Sequence, residues 1–172
     1  MPTIRLTIRN ASIPAEMDTV RTLCWDYRTY LCAIGPEECA AIETLYPEPD
    51  YSALMDRLEH EHAPGKGAIL VAEIDGRIVG CGMIREIAPR IGEIKRVFVC
   101  DAARGMDAGH QLCLALLECA RTLGHELVRL DTLKTLKAAK NLYCKLGFIQ
   151  RGPYADIPEV ARDMVCFYEI AL

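Results

Sequence analysis

The chain has 172 residues, 51% of them hydrophobic and 26% charged, which suits one globular domain burying about two-thirds of its unfolded surface. Its formal net charge of −4 argues against nucleic-acid binding, which usually needs a basic face, but leaves room for an anionic ligand held by backbone amides. No apolar run approaches the ~20 residues that cross a bilayer, and the opening MPTIRLTIRN alternates instead of forming a signal peptide's apolar block, so a cytoplasmic protein with no membrane partner is expected.

Ile4, Leu6 and Ile8 alternate within Thr3 to Arg9 and predict a half-buried strand. Val20, Leu23, Tyr27, Tyr30 and Leu31 recur at helical spacing, so Glu16 to Ile34 reads as a helix. Between Gly35 and Pro64 the pattern weakens, and only a short helix near Tyr51 to His62 is expected. Ala68 to Ile74 and Arg77 to Arg85 are apolar runs joined by Asp75-Gly76, a hairpin signal because both turn positions favour positive φ. Glu93 to Val99 supplies another strand. The next helix carries Leu112, Leu116, Leu117, Ala120 and Leu123 and stops at Gly124. Leu127 to Asp131 reads as a strand, Leu136 to Leu146 as a helix closed by Gly147, and Phe148 to Arg151 and Met164 to Ile170 as final strands. Residues 1–172 therefore form a single α/β domain, an antiparallel meander followed by two strand–helix units.

Nine cysteines without a C-x-x-C pair fit small buried hydrophobes better than a disulfide framework. His60 and His62 have no matching ligand cluster in the sequence; a solvated helix end is expected there, and no metal.

The stretch with most chemistry is EIKRVFVCDAARGMDAGH, from Glu93 to His110. A strand feeds a glycine-punctuated turn, and a helix begins at once. That order brings free N–H groups and the positive end of a helix dipole against an anion. Downstream lie LDTL at Leu130 to Leu133 and AAKNLYCKLGF at Ala138 to Phe148.

These three segments, in this order, resemble the GCN5-related N-acetyltransferase (GNAT) superfamily, whose acetyl-CoA loop reads Q/R-x-x-G-x-G/A and whose later helix reads A-x-x-LY-x-x-x-GF. The resemblance implies a mixed, mostly antiparallel sheet flanked by helices, with the fourth and fifth strands splayed into a cofactor slot. It implies acetyl-CoA as co-substrate, its pantetheine arm paired with the backbone of Val97, Phe98 and Val99. Its pyrophosphate would lie over the N–H groups of Arg104, Gly105, Met106, Asp107, Ala108, Gly109 and His110. Tyr143 matches the family tyrosine that protonates the leaving thiolate, a role suited to a phenol whose pKa near ~10 keeps it protonated at neutral pH. Glu93 is the candidate base, acting after burial or through a water; the alternative is a solvated carboxylate paired to Lys95.

The loop departs from the family pattern. Asp107 stands where a glycine is usual, and Leu136 where an asparagine is common. A carboxylate ~4 Å from a phosphate costs about 1 kcal/mol in water and about 4 at an effective dielectric of 20. Two readings follow: an N-acetyltransferase acting on the amine of a small molecule, amino acid or peptide, or a non-catalytic sensor or interaction protein with a degenerate site. Trp25, Tyr27, Tyr30 and Tyr154 are candidate walls of an acceptor pocket, and Arg28 or Arg162 a candidate partner for a substrate carboxylate. The resemblance also admits a homodimer.

Overall fold

Strands β1 (Leu6–Asn10), β2 (Gly67–Ile74), β3 (Arg77–Ala88) and β4 (Ile91–Val99) form an antiparallel meander in a computed structural model that describes residues 5–172. β4 then runs parallel to β5 (Leu127–Leu133), and β7 (Val165–Ala171) inserts antiparallel between β5 and β6 (Ile149–Arg151). The seven strands make one sheet, ordered β1-β2-β3-β4-β5-β7-β6. This is the expected mixed, mostly antiparallel architecture. Thr3 and Ile4 of the expected first strand lie outside the described residues. Asp75 and Gly76 take φ of 49° and 81°, as the hairpin requires.

Helices cover both faces of the sheet, so β2, GAILVAEI, is almost continuously apolar instead of alternating. Leu70 and Ala72 pack toward α5 (Ala108–Thr122) and α6 (Lys137–Lys145), with Leu112, Leu116 and Phe148. Ile69 and Val71 face α1 (Met17–Cys32), with Val20, Cys24 and Met55.

The segment expected to hold one short helix holds three: α2 (Pro36–Leu45), α3 (Glu48–Met55) and α4 (Leu58–Glu61). Pro36 and Pro49 sit in the first turns of α2 and α3, where a missing N–H breaks no bond and a fixed φ favours the helix. These prolines start helices; read as interruptions, they hid them. A last short helix, α7 (Glu159–Arg162), precedes β7.

His62 corrects a second expectation. It is not solvated at a helix end but 3% exposed, its Nδ1 3.0 Å from the Leu58 carbonyl and its Nε2 without a partner among the described residues. Burial pushes its pKa down to about 4. With the folded value below the unfolded ~6.5, the contribution to stability is complete above pH ~6.5 and is lost as pH falls toward 4. Denaturant titrations should show a loss of about 2 kcal/mol from this group between pH 7 and 5. His62→Gln should flatten that slope, and an unchanged slope would place the pH sensitivity elsewhere.

The cysteines are all free, and Cys24, Cys81, Cys113 and Cys166 are buried among apolar side chains. Cys32, Cys39 and Glu43 were not foreseen as a group; α1 and α2 bring their donor atoms within 4.8 Å of one another.

β4 positions everything that follows. It pairs with β5 only at Ile91, Gly92 and Glu93, after which the two strands diverge. Against β3, Lys95 opposes Met83 and Phe98 opposes Cys81, so Arg96 and Val97 together face Gly82. That is a β-bulge, and Arg96 takes its left-handed conformation, φ 53°. The bulge re-aims the end of β4 away from β5 and leaves the inner backbone edge of residues 94–99 without a strand partner.

Candidate active site

Two hollows meet at this divergence. On the α5–α6 side a cleft runs past Val97, Phe98 and Val99 to Arg104, Gly109 and Lys137. On the α1–α2 side a cavity holds about 730 Å³ of space free of protein atoms, part of it open to solvent. Four residues line both: Tyr27, Val97, Thr132 and Tyr143.

The loop before α5 is built by the glycine-rich turn. Gly105 and Asp107 both lie in the left-handed region, at φ 80° and 64°. Ala108, Gly109 and His110 open the helix, so their N–H groups lack helical acceptors, and Asp107 adds no side-chain cap. Not every amide of the stretch is free. Arg104 N–H donates to Asp101 O at 3.2 Å and Met106 N–H to Ala103 O at 3.3 Å. The carboxylate of Asp107 accepts from Gln111 Nε2 at 2.8 Å and lies 3.2 Å from His110 Nδ1. Gln111 first, then His110, holds its pKa below the usual value. It borders a groove with Leu6, Ile8 and Leu114, not the cleft. Lys137, which sequence reasoning passed over, adds a cation at the cleft beside Arg104, whose guanidinium lies 4.6 Å from the Tyr30 ring centroid. Leu136, in the usual asparagine position, lines the same cleft.

Tyr143 is 7% exposed and stacks near Phe148 and Tyr168, at 5.8 and 6.2 Å between ring centroids. Burial pushes its pKa well above the ordinary phenol. α6 carries it to the junction of the hollows because Leu142 and Leu146 pack on the same core.

Glu93 departs from the solvated alternative: it is 4% exposed. Its Oε1 accepts from Arg85 at 3.1 and 3.3 Å, its Oε2 accepts from Tyr154 OH at 2.8 Å, and Lys95 Nζ lies 3.7 Å away. It does not line the cavity. The carboxylate that does is Asp131, of the LDTL stretch, whose Oδ2 accepts from Lys95 Nζ at 2.7 Å. Burial opposes the Lys95 charge, but Tyr46, Asp131 and Glu93 more than offset it and hold the pKa up. Asp131 could have been found from its register: in a strand whose even positions Val128, Leu130 and Thr132 are buried, it points to the other face.

Among the candidate pocket walls, Tyr27 lines both hollows and Tyr30 lines the cleft. Trp25 packs edge-on against Tyr51 and Tyr154 against Phe167, and neither reaches the cavity. Arg28 lines the cavity, whereas Arg162 is exposed on α7.

The comparisons with known proteins agree with this geometry. The family model described as "Acetyltransferase (GNAT) family" matches residues 26–148. The chain is 38% identical over 86 residues to an "IAA acetyltransferase" of Azospirillum brasilense, covering 49% of this chain and 56% of that protein. It is 33% identical over 100 residues to an uncharacterised N-acetyltransferase of Schizosaccharomyces pombe, covering 57% and 61%. The chain thus spans a little over half the length of these curated relatives. The crystal structure of the PaiA N-acetyltransferase of Thermoplasma acidophilum, in complex with coenzyme A, superposes with a TM-score of 0.70 at 16% identity over 98% of this chain and 99% of that one. With strands diverging beside a glycine-punctuated helix start, and with the family model matching across both, the chain belongs to the acetyltransferase (GNAT) family.

Proposed function

We propose that the protein transfers an acetyl group from acetyl-CoA to the amine of an acceptor held in the α1–α2 cavity. The observation that carries this reading is the junction: the cleft and the cavity are separate except at Tyr27, Val97, Thr132 and Tyr143. A thioester entering from one side and an amine from the other can meet only there, and holding two reactants in register supplies much of a bimolecular reaction's barrier lowering.

The residues fit the co-substrate. The inner edge of β4 at Val97, Phe98 and Val99 offers backbone groups to the pantetheine amides, and the N–H groups of Gly105, Asp107, Ala108, Gly109 and His110 suit the pyrophosphate, with Arg104 and Lys137 beside them. Acetyl-CoA supplies the activated acyl group. Asp131 receives the proton released by the attacking nitrogen as the N–C bond forms, directly or through one water. Tyr143 gives its phenolic proton to sulfur as the C–S bond breaks; its raised pKa keeps that proton in place at neutral pH. Glu93 acts as a positioning residue, holding Lys95 and through it Asp131.

Calorimetric titration with acetyl-CoA tests the reading, with binding in the micromolar range expected. Because the Asp107 carboxylate is turned toward Gln111 and His110, the weaker of the two electrostatic penalties applies, and Asp107→Gly should tighten binding no more than about fivefold. No binding to the natural chain, with binding restored in Asp107→Gly, would instead favour the degenerate-site reading.

A further inference from the structure

Three cations face the cavity, and two are already matched. Arg28 donates to the Tyr46 carbonyl at 3.0 and 3.1 Å and pairs with Glu43 at 2.9 Å. Lys95 is held by Asp131. Arg96 has no carboxylate partner among the described residues, and its Nε is buried without an acceptor. Its guanidinium lies 6.0 Å from the Tyr51 ring centroid, with that of Arg28 5.9 Å from the same ring. A buried guanidinium N–H without an acceptor is unfavourable, and the Tyr51 side chain, which hydrogen-bonds the guanidinium, brings no countercharge.

From this we infer that Arg96 is the anchor for a carboxylate on the acceptor, and that the acceptor is an amino acid with an apolar side chain. The inference rests on the transferase reading above. A planar guanidinium fork matches a carboxylate with two parallel hydrogen bonds, which a point-charge ammonium cannot reproduce. Leu31, Ile42, Leu45 and Leu133 give the rest of the cavity an apolar wall. Asp131 is the only carboxylate among the described residues of the lining; its Oδ2 is shared with Lys95, and its Oδ1, which accepts no hydrogen bond among the described residues, is left for the ammonium end next to Thr132 at the junction. The cavity is thus polar with opposite signs at two places, as a zwitterion requires.

The test uses three ligands of one side chain: L-leucine, L-leucinamide and 3-methylbutylamine. Thiol release from acetyl-CoA should show L-leucine preferred over the other two by at least tenfold in kcat/KM, mostly through KM. Arg96→Gln should raise the leucine KM about 10- to 100-fold, as for a lost hydrogen bond to a charged group, and abolish the preference for acid over amide. Arg96→Lys should restore part of it, and CoA affinity by calorimetry reports that each variant is folded. Should Arg96→Gln fail to fold, the acid-to-amide ratio in the natural chain decides alone. Equal use of acid, amide and amine would overturn the anchor and leave the transferase standing. Were none of the three to release thiol, calorimetry would decide: L-leucine heat that is lost in Arg96→Gln supports the anchor, acetyl-CoA binding without L-leucine binding rejects the anchor and leaves the transferase standing, and no acetyl-CoA binding removes the transferase reading itself.

Discussion

Tyr143→Phe is expected to lower kcat by roughly 10²–10⁴-fold, the range that a positioned general acid supplies. The KM for acetyl-CoA should move little, since the phenyl ring keeps its contacts with Phe148 and Tyr168. The Tyr143 hydroxyl makes no hydrogen bond among the described residues, so its loss leaves no protein group stranded, and stability should change by less than about 1 kcal/mol. The split between kcat and the acetyl-CoA KM separates this role from mere packing, since a ring that only packed against the cofactor would raise KM. Burial raises the folded pKa above that of an ordinary phenol, so the neutral, proton-donating form is the one present at neutral pH. Full activity in Tyr143→Phe would remove Tyr143 from the chemistry.

Glu93→Gln is expected to act on stability more than on turnover. Removing one member of a buried ion pair typically costs about 3–5 kcal/mol because the remaining charge stays buried. The lower end, about 3 kcal/mol, applies because Arg85 keeps Glu61 at 2.9 Å and Lys95 keeps Asp131 at 2.7 Å. For a chain of this length that corresponds to a fall in Tm of roughly 6–12 °C. Residual folded protein should retain kcat within about tenfold. The reverse pattern, an unchanged Tm with kcat lost by orders of magnitude, would return Glu93 to the role of base.

The strands and the long helices were legible in the sequence because their patterns are local: period two in β1, Asp75-Gly76 at the hairpin, leucines at helical spacing in α5. α2 and α3 were not legible, since their prolines read as interruptions and few of their residues are buried: Glu38, Ala41 and Ile42 in one, Tyr51 and Met55 in the other. At the candidate site, motif spacing singled out Tyr143 and the glycine turn. It did not separate Glu93 from Asp131: alternation in β5 turns Asp131 to the face opposite Leu130, but that Glu93 is withdrawn from the cavity depends on Tyr154 and Arg85, which arrive from distant segments. Arg96 was invisible for a similar reason. A bulge is a property of two strands in register, and nothing in IKRVFV marks which residue will be the extra one.

The divergence of β4 from β5 has a consequence for how the molecule meets its own kind. An unpaired strand edge is ordinarily a template for another chain. Here the edge of residues 94–99 faces into a wedge whose other wall is β5, closing to a paired strand at Glu93. A neighbouring polypeptide would need room for its own side chains on both faces, which a tapering wedge denies, while a slender unbranched molecule needs none. Among the described residues the outer edges of the sheet run for five residues in β1 and three in β6, and Arg9 of β1 is tied to Glu16 and Glu73. The sheet therefore keeps this open edge where a slender molecule reaches it and another polypeptide does not.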